Sequence, residues 1–213
     1  MTAPAADERA RHWDDRYEQA GAEHVSWFQT RPTMSLKLID SIGVDTSTAV
    51  LDVGGGSSPL AGELVARGFD DITVLDVSRT ALGIARRGLD DPHGVTWLHA
   101  DLLSWTPTRR WGLWHDRAVF HFLTAPADRA TYLRHLAAAL TTNGAFIIAT
   151  FAPDGPDHCS GLPVRRYDAQ TLTDTITTAV PTATIIAAHD ETHTTPSGLI
   201  QPFIWIVGTL TAG

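Results

Sequence analysis

A short apolar run leads into three consecutive glycines in Val50-Leu51-Asp52-Val53-Gly54-Gly55-Gly56. A glycine-rich turn after a strand allows the backbone to approach a ligand closely. The phosphate-binding pattern, in which a glycine is followed by lysine and serine or threonine, is absent here, and Pro59 occupies the place of the third glycine in the dinucleotide pattern. Asp52 would repel a pyrophosphate and attract an ammonium or a sulfonium group. The loop therefore favours a cationic ligand.

Two further aspartates follow the next two predicted strands. Asp76 ends Val74-Leu75-Asp76, about 20 residues after the glycine loop, where nucleotide-binding folds have the carboxylate that binds ribose hydroxyls. Asp101 lies in Leu98-His99-Ala100-Asp101-Leu102, where a carboxylate can accept a hydrogen bond from the adenine amino group. Because ligands bind at the carboxyl ends of parallel strands, the three acids predict one site. S-adenosylmethionine (SAM) has the required nucleoside, amino group and sulfonium.

The elements that must position these acids alternate between strand and helix along the chain. This alternation, with short Gly- and Pro-containing turns, predicts an α/β fold with a parallel sheet covered by helices on both faces. The tail differs, because a helix near 168–179 is followed by two strand-like runs separated by about a dozen polar residues, which predicts an antiparallel hairpin at the sheet edge. The predicted strands are 49–53, 72–76, 95–98, 113–116, 145–151, 183–188 and 200–210, and the predicted helices are 7–20, 33–42, 59–67, 78–87, 126–140 (ended by Asn143-Gly144) and 168–179.

The composition limits the classes of partner. A chain of 213 residues with a net charge of −8 has no general attraction for nucleic acid or for an anionic membrane. A single cysteine, Cys159, excludes an intramolecular disulfide, and the chain has neither a signal-peptide core nor an apolar run long enough for a membrane helix. We therefore expect a cytoplasmic, single-domain protein that is a monomer or a homodimer.

The motifs around Asp52, Asp76 and Asp101 resemble those of the class I SAM-dependent methyltransferases. The resemblance implies a Rossmann-like, doubly wound sheet of seven strands in the order 3-2-1-4-5-7-6, mostly parallel with the last strand antiparallel. It also implies one domain over residues 1–213: an N-terminal helical lid (1–44), a cofactor-binding core (45–151), and an acceptor loop, helix and C-terminal hairpin (152–213).

The resemblance also implies how the cofactor is held. Gly54 and Gly56 would shape the methionine pocket, Asp76 would bind the ribose and Asp101 the adenine edge. Asp52 would order the loop or reach the amino group through water. Ser58 stands at the third position of the family's glycine pattern, a mild departure. The predicted cofactor-binding residues are Trp13, Trp27, Asp52, Gly54, Gly55, Gly56, Asp76, Val77, Asp101, Leu102 and His115, and no metal site is predicted.

The residues that contact the acceptor are predicted from two segments. The first is the fourth strand and its continuation, Leu113-Trp114-His115-Asp116-Arg117-Ala118-Val119-Phe120-His121-Phe122, and the second is the Gly- and Pro-rich loop 151–167. The Asn/Asp-Pro-Pro-Tyr/Phe motif of enzymes that methylate amide or adenine nitrogen is absent from the first. The predicted catalytic residues are His115, Asp116, Arg117, His121 and Cys159.

Two branches of the family show local similarity. Asp116-Arg117-Ala118 with Arg129 and Tyr132 is similar to the thiopurine S-methyltransferases, and Trp13, Tyr17 and Ser26-Trp27-Phe28 are similar to small relatives of the lysine methyltransferases of elongation factor. We expect a small-molecule acceptor, with sulfur slightly ahead of oxygen and nitrogen, and the second similarity makes a protein-lysine methyltransferase the first alternative.

Three alternatives stay open at this point. A protein-lysine methyltransferase would need an open groove at the acceptor end. A non-catalytic SAM-binding protein would bind SAM without turnover. A nucleotide-dependent oxidoreductase is disfavoured, because Asp52 and Pro59 both oppose a pyrophosphate site.

Overall fold

The computed structural model describes residues 6–89 and 93–212. Residues 1–5 of the predicted N-terminal lid and Gly213 at the end of the predicted hairpin segment lie outside this part of the chain. Seven strands form one sheet in the order β3-β2-β1-β4-β5-β9-β8, and two further strands of two residues each pair separately. The strands are β1 (Val50–Val53), β2 (Ile72–Asp76), β3 (Val95–His99), β4 (Trp111–Arg117), β5 (Leu140–Phe151), β6 (His158–Cys159), β7 (Leu162–Pro163), β8 (Ala183–Thr194) and β9 (Ile200–Leu210).

The order and directions of the strands confirm the predicted fold. The first five strands of the sheet are parallel, and β9 pairs antiparallel with both β5 and β8. The sequence predicts seven strands, and the residues that the structure describes form nine, because the short strands β6 and β7 precede the last two. The predicted sixth and seventh strands therefore correspond to β8 and β9. The helices are α1 (Ala6–Ala20), α2 (Thr33–Ile42), α3 (Leu60–Ala66), α4 (Arg79–Arg87), α5 (Pro126–Ala139) and α6 (Ala169–Ala179), with a 3-10 turn at Phe120–Phe122.

Alternate residues of the buried strands face two separate cores. Leu51 and Val53 of β1 belong to the core that α5 and α6 cover, whereas Val50 belongs to the core that α2, α3 and α4 cover. This alternation follows from the strand geometry, which sends successive side chains to opposite faces. The sheet is therefore covered on both faces, and its exposed rim at the carboxyl ends of β1, β2 and β4 is left for a ligand. Within the described ranges, no helix is long and apolar enough to cross a membrane.

Two boundaries differ from the predicted ones by more than two residues. Strand β5 begins at Leu140, so the Asn143-Gly144 pair that was expected to end a helix lies inside the strand. Asn143 has a φ of 63°, and the β4–β5 register shifts between Trp111 and Leu113. Asparagine tolerates this left-handed conformation, so the pair forms a strand irregularity there.

Strand β8 extends to Thr194, and only residues 195–199 connect it to β9. The polar residues after Ala188 predict a loop, but they belong to β8, which is an edge strand. Its burial alternates along its length, so one face of the strand tolerates polar side chains.

The end of β4 is tied to α5 through a buried carboxylate. Asp116 accepts hydrogen bonds from the backbone N–H of Val119 (2.8 Å) and Phe120 (3.1 Å) and from the hydroxyl of Tyr132 (2.6 Å). The indole N–H of Trp114 donates to the same hydroxyl over 2.9 Å. Because the side chains of Asp116, Tyr132 and Trp114 are buried, Tyr132 fixes the turn that follows β4 at the rim of the sheet.

We expect Tyr132→Phe to lower the free energy of unfolding by about 1–3 kcal/mol, because it removes one of the three hydrogen bonds to the buried Asp116 carboxylate and leaves the Trp114 indole N–H without a partner. Thr150→Val is the matched control. It also removes a buried hydroxyl, but the Thr150 Oγ1 has no hydrogen-bond partner among the described residues, so its loss should be neutral or stabilising. Urea unfolding of both variants measures the difference, and equal losses of stability would contradict the role given to Tyr132.

Candidate functional site

A cleft of about 970 Å³, partly open to solvent, lies at the carboxyl ends of the parallel strands. Its walls come from the glycine loop, the ends of β2 and β4, helix α1, the segment after β3, and strand β9. The lining residues are Arg9, Trp13, Tyr17, Trp27, Val53, Gly54, Leu75, Asp76, Val77, Ala100, Asp101, Leu102, Leu103, Arg117, Ala118, Val119, Phe122, Leu123, Phe151, Cys159, Gln201 and Phe203.

Asp76 lies at the end of β2 in the wall of the cleft. Its Oδ1 accepts the backbone N–H of Ser78 over 2.7 Å, and no basic side chain of the described residues lies within ion-pair distance. Burial, followed by the charges of Asp52 and Asp14, raises the pKa of Asp76 to about 7, against opposing hydrogen bonds from the backbone of Ser78 and Gly56. A buried carboxylate without a counter-charge is suited to accept hydrogen bonds from ligand hydroxyls.

Asp101, which follows β3, is held by its own backbone and by α1. Its Oδ1 accepts the backbone N–H of Leu103 over 3.0 Å, and its Oδ2 forms an ion pair with Arg9, whose Nε is 3.1 Å away. The ion pair connects the N-terminal helix to the segment that follows β3.

The glycine loop is packed too tightly for larger side chains. Gly54 and Gly56 have φ values of 63° and 52°, in the left-handed region that favours glycine. A Cβ at Gly55 would lie 2.4 Å from Oδ2 of Asp52, and a Cβ at Gly56 would lie 2.6 Å from the hydroxyl of Tyr17. The loop is thus held between an acid beneath it and α1 above it.

Asp52 belongs to a buried chain of hydrogen bonds beneath the loop. Its Oδ1 lies 2.7 Å from Nδ1 of His115, and Nε2 of His115 lies 2.9 Å from the hydroxyl of Ser35 in α2. With Nδ1–H donating to the carboxylate, Nε2 can accept from the serine. These residues line a smaller compartment that shares Trp27, Gly54 and Arg117 with the main cleft.

Helix α1 lies over the cleft and contributes aromatic rings to it. The indole N–H of Trp27 donates to the Tyr17 hydroxyl over 3.1 Å, and Trp13 and Trp27 meet edge to face with centroids 5.6 Å apart. Asp14 accepts hydrogen bonds from the Ser78 hydroxyl and from the backbone N–H of Thr80. Although burial acts to raise it, these hydrogen bonds hold the pKa of Asp14 below its usual value.

The end of the cleft beyond the glycine loop is mostly aromatic. Phe122, Phe151 and Phe203 line it together with Arg117, Cys159 and Gln201, and we call these six residues the aromatic chamber. Burial raises the pKa of the Cys159 thiol, so the thiol is protonated at neutral pH.

The five predicted catalytic residues divide into three groups. Arg117 and Cys159 line the aromatic chamber, and His115 lines the smaller compartment. Asp116 and His121 are fully buried beneath the cleft and do not line it. Burial raises the pKa of Asp116 to about 6, and burial together with the charge of Arg117 lowers the pKa of His121 to about 3. Direct contact of these two with a ligand would require neighbouring side chains to move.

The predicted cofactor-binding residues all lie at the cleft or next to it. Trp13, Trp27, Gly54, Asp76, Val77, Asp101 and Leu102 line the cleft, Asp52, Gly55 and His115 line the smaller compartment, and Gly56 supports the loop. Among the described residues, no group of three or more His, Cys, Asp or Glu side chains could hold a metal ion.

Sequence reasoning missed several residues of the site. Arg9 and Tyr17 lie four residues to either side of Trp13, so helical spacing was a signal that all three share one face. Ser35 carried no comparable signal, because its hydrogen bond to His115 joins positions 80 residues apart.

The comparisons with known proteins agree with this geometry. The model of a family described as "Methyltransferase domain" matches residues 50–144, which span the glycine loop, Asp76, Asp101 and the whole of β4. Among curated proteins, no significant sequence match was found.

Solved structures share the fold at low sequence identity. The N-methyltransferase NodS from Bradyrhizobium japonicum, in complex with S-adenosylhomocysteine (SAH), is 16% identical, with 93% of this chain and 98% of that chain covered and a TM-score of 0.72. A SAM-dependent methyltransferase from Anabaena variabilis is 15% identical (98% and 96% covered, TM-score 0.75). The 1,6-didemethyltoxoflavin-N1-methyltransferase from Burkholderia thailandensis, with its substrate and SAH bound, is 18% identical (100% and 94% covered, TM-score 0.69).

The pKa of Asp76 makes nucleoside binding dependent on pH. If the ionised carboxylate accepts the ribose hydroxyls, a pKa of about 7 means that SAH should bind more tightly as the pH rises from 6 to 8. The fraction of ionised Asp76, and with it the affinity, should rise about tenfold over this interval. Calorimetric titration with SAH at several pH values measures the effect.

Asp76→Asn is the control, because an amide does not titrate. Its SAH affinity should be lower at pH 8 and should change little with pH. The pKa of Asp76 is about 7 in the folded protein and about 4 in the unfolded chain, so between these pH values only the folded protein keeps the proton. The wild type therefore loses stability as the pH rises from about 4 to 7. The variant should therefore be the more stable protein at pH 8. A wild-type affinity that is flat between pH 6 and 8 would contradict the role given to Asp76.

Proposed function

We propose that this chain is a class I SAM-dependent methyltransferase and that it methylates a small-molecule acceptor bound in the aromatic chamber, with sulfur as the favoured acceptor atom. The observation that carries the proposal is the continuity of the cleft. The same cavity runs from Asp76 and Asp101 past the glycine loop to Phe122, Phe151 and Phe203. A nucleoside site and an acceptor site are thus joined in one enclosure.

SAM is the methyl donor of this family, and the residues present suit it. When bound, SAM supplies an electrophilic methyl group on a positively charged sulfur. We propose that Asp76 accepts the ribose hydroxyls, that Asp101 and its neighbour Leu102 bind the adenine, and that the glycine loop, held by Asp52, receives the methionine portion. The carboxylates at the rim also favour a ligand that carries positive charge.

The residues of this chain mainly orient the two substrates and exclude water from the reacting atoms. Methyl transfer is a displacement in line with the breaking bond, so the acceptor atom must be held on one side of the methyl group at close range. Trp13, Tyr17 and Trp27 cover the cleft from the α1 side and would keep water away from the reacting atoms.

The chemistry of the chamber supports sulfur as the acceptor atom. Aromatic rings make favourable contacts with polarisable sulfur, and a thiolate needs no general base for its transfer. A neutral oxygen would need a base, and the candidate bases Asp116 and His121 are buried beneath the cleft. We propose that Cys159 contacts the acceptor as a protonated thiol in the wall of the chamber.

The alternatives are less well supported. A lysine side chain entering the chamber would bring its ammonium group towards the guanidinium of Arg117, and two like charges in an apolar enclosure repel strongly. This repulsion argues against a protein-lysine methyltransferase. The net charge of −8 argues against a nucleic-acid acceptor.

We expect purified protein with SAM to release SAH when supplied with aromatic thiols, at a rate above that for the matching phenols and anilines. Each acceptor should be tested both without a further substituent and with a carboxylate at ring position 4. Chromatography measures the SAH that is formed. Asp76→Ala, which removes the proposed ribose ligand, should bind SAM more weakly and lose turnover at limiting SAM.

SAH formation on a lysine-containing protein but on none of the small molecules would favour the lysine methyltransferase instead. Micromolar binding of SAM without turnover of any acceptor would favour a non-catalytic SAM-binding protein. Failure of the wild type to bind either SAM or SAH would contradict the proposed function itself.

A further inference from the structure

Arg117 has donors that the protein does not satisfy. Its Nη1 donates to the backbone carbonyl of Trp27 over 3.0 Å, but its Nε and Nη2 are buried and have no hydrogen-bond partner in the described part of the chain. No carboxylate of the described residues lies within 4 Å of the guanidinium. Glu191, the nearby acid whose charge acts on Arg117, instead accepts hydrogen bonds from Trp205 (2.9 Å) and Gln29 (3.4 Å).

Such an arrangement costs free energy in the protein without ligand. A buried donor that lacks an acceptor loses its hydration without recovering it, and the loss is larger when the group is charged. Buried cations are normally paired with an anion, and the fork of a guanidinium matches an oxyanion in shape. Arg117 therefore needs an anionic partner, and the cleft that it lines is the place from which one can come.

The surroundings of Arg117 define what the partner must look like. Its Cζ lies 4.9 Å from the centroid of the Phe203 ring, which holds the guanidinium against one wall of the aromatic chamber. Oε1 of Gln201, in the same chamber, is also buried and has no hydrogen-bond partner among the residues that the structure describes. A planar apolar body would pack against the rings, while an oxyanion on it would reach the guanidinium.

We infer that the acceptor carries a carboxylate or a similar oxyanion on an aromatic body, and that Arg117 binds this group and so selects the acceptor. The inference rests on the proposed function, because it concerns the second substrate of the same cleft. Arg117 is then a specificity-determining residue, and the anionic group that it binds is separate from the atom that receives the methyl group.

Binding of small probes tests the inference without knowledge of the acceptor. Benzoate and benzamide have the same ring and differ in charge, and both can be titrated into the SAH complex by calorimetry. We expect benzoate to bind the wild-type complex at least about tenfold more tightly than benzamide, as for a charge-assisted hydrogen-bonded pair. In Arg117→Met this preference should disappear, and in Arg117→Lys, which keeps the charge but not the fork, it should be reduced.

The matched control is Arg134→Met, which removes one positive charge from the exposed face of α5, away from the cleft. It should keep the preference for benzoate. Equal binding of the two probes, or binding of neither, by the wild-type SAH complex would overturn the inference. A large loss of SAH affinity in both Arg117 variants would also overturn it, because Arg117 would then bind the cofactor.

A different result would contradict the proposed function. Absence of SAM and SAH binding in the wild type would contradict the methyltransferase site, and this is measured before any probe is added. If SAH binds normally and only the preference for benzoate is missing, the proposed function stands and the inference about Arg117 does not.

Discussion

Four carboxylates at four neighbouring strand ends are the constraint on which the rest of this structure depends. Asp52, Asp76, Asp101 and Asp116 all lie at one rim of the parallel sheet, and a low-dielectric rim cannot hold four like charges without compensation. The protein compensates three of them: Asp52 with His115, Asp101 with Arg9, and Asp116 with backbone amides and Tyr132. Burial raises the pKa of Asp76 to about 7, because Asp76 alone among the four receives only backbone N–H groups, and these do not offset the loss of solvent. The acid that the fold stabilises least is the acid best placed for a ligand.

The same compensation holds the N-terminal helix in place. Arg9 forms an ion pair with Asp101 in the wall of the cleft, and Asp14 caps the start of α4 through Ser78 and Thr80. The aromatic residues of α1 are therefore positioned by polar contacts to the residues that would hold the nucleoside. Partly exposed ion pairs of this kind contribute little to stability on their own. Their effect is to set the orientation of α1, so that a ligand which contacts Asp101 also affects how the helix is held.

Local sequence patterns predicted the parts of the fold and site that local physics determines. The glycine loop could be predicted because left-handed φ values and close packing demand glycine, and the strand ends because each apolar run stops at an acid. The length of β8 could not, because only its position at the sheet edge permits so many polar residues in a strand. Helical spacing places Arg9 on the face of Trp13, but the pairing of Arg9 with Asp101 and of Ser35 with His115 could not be predicted, because these contacts join positions 92 and 80 residues apart. Asp116 and His121 were placed near the site by their position in β4 and the turn after it, but burial beneath the rim depends on which face each side chain takes.

The cleft consequently has opposite electrostatic character at its two ends. Near Asp76 it presents acids whose charge attracts a cationic ligand, and near Arg117 it presents a guanidinium with unsatisfied donors. Transfer between two bound molecules requires that each be held in one orientation, and an enclosure with uniform polarity would bind either molecule at either end. The separation of charge removes this ambiguity, because the wrong placement would put an anion against Asp76 or a cation against Arg117. Arg117 achieves this at a cost to the protein without ligand, since its buried donors are satisfied only when an anion is present.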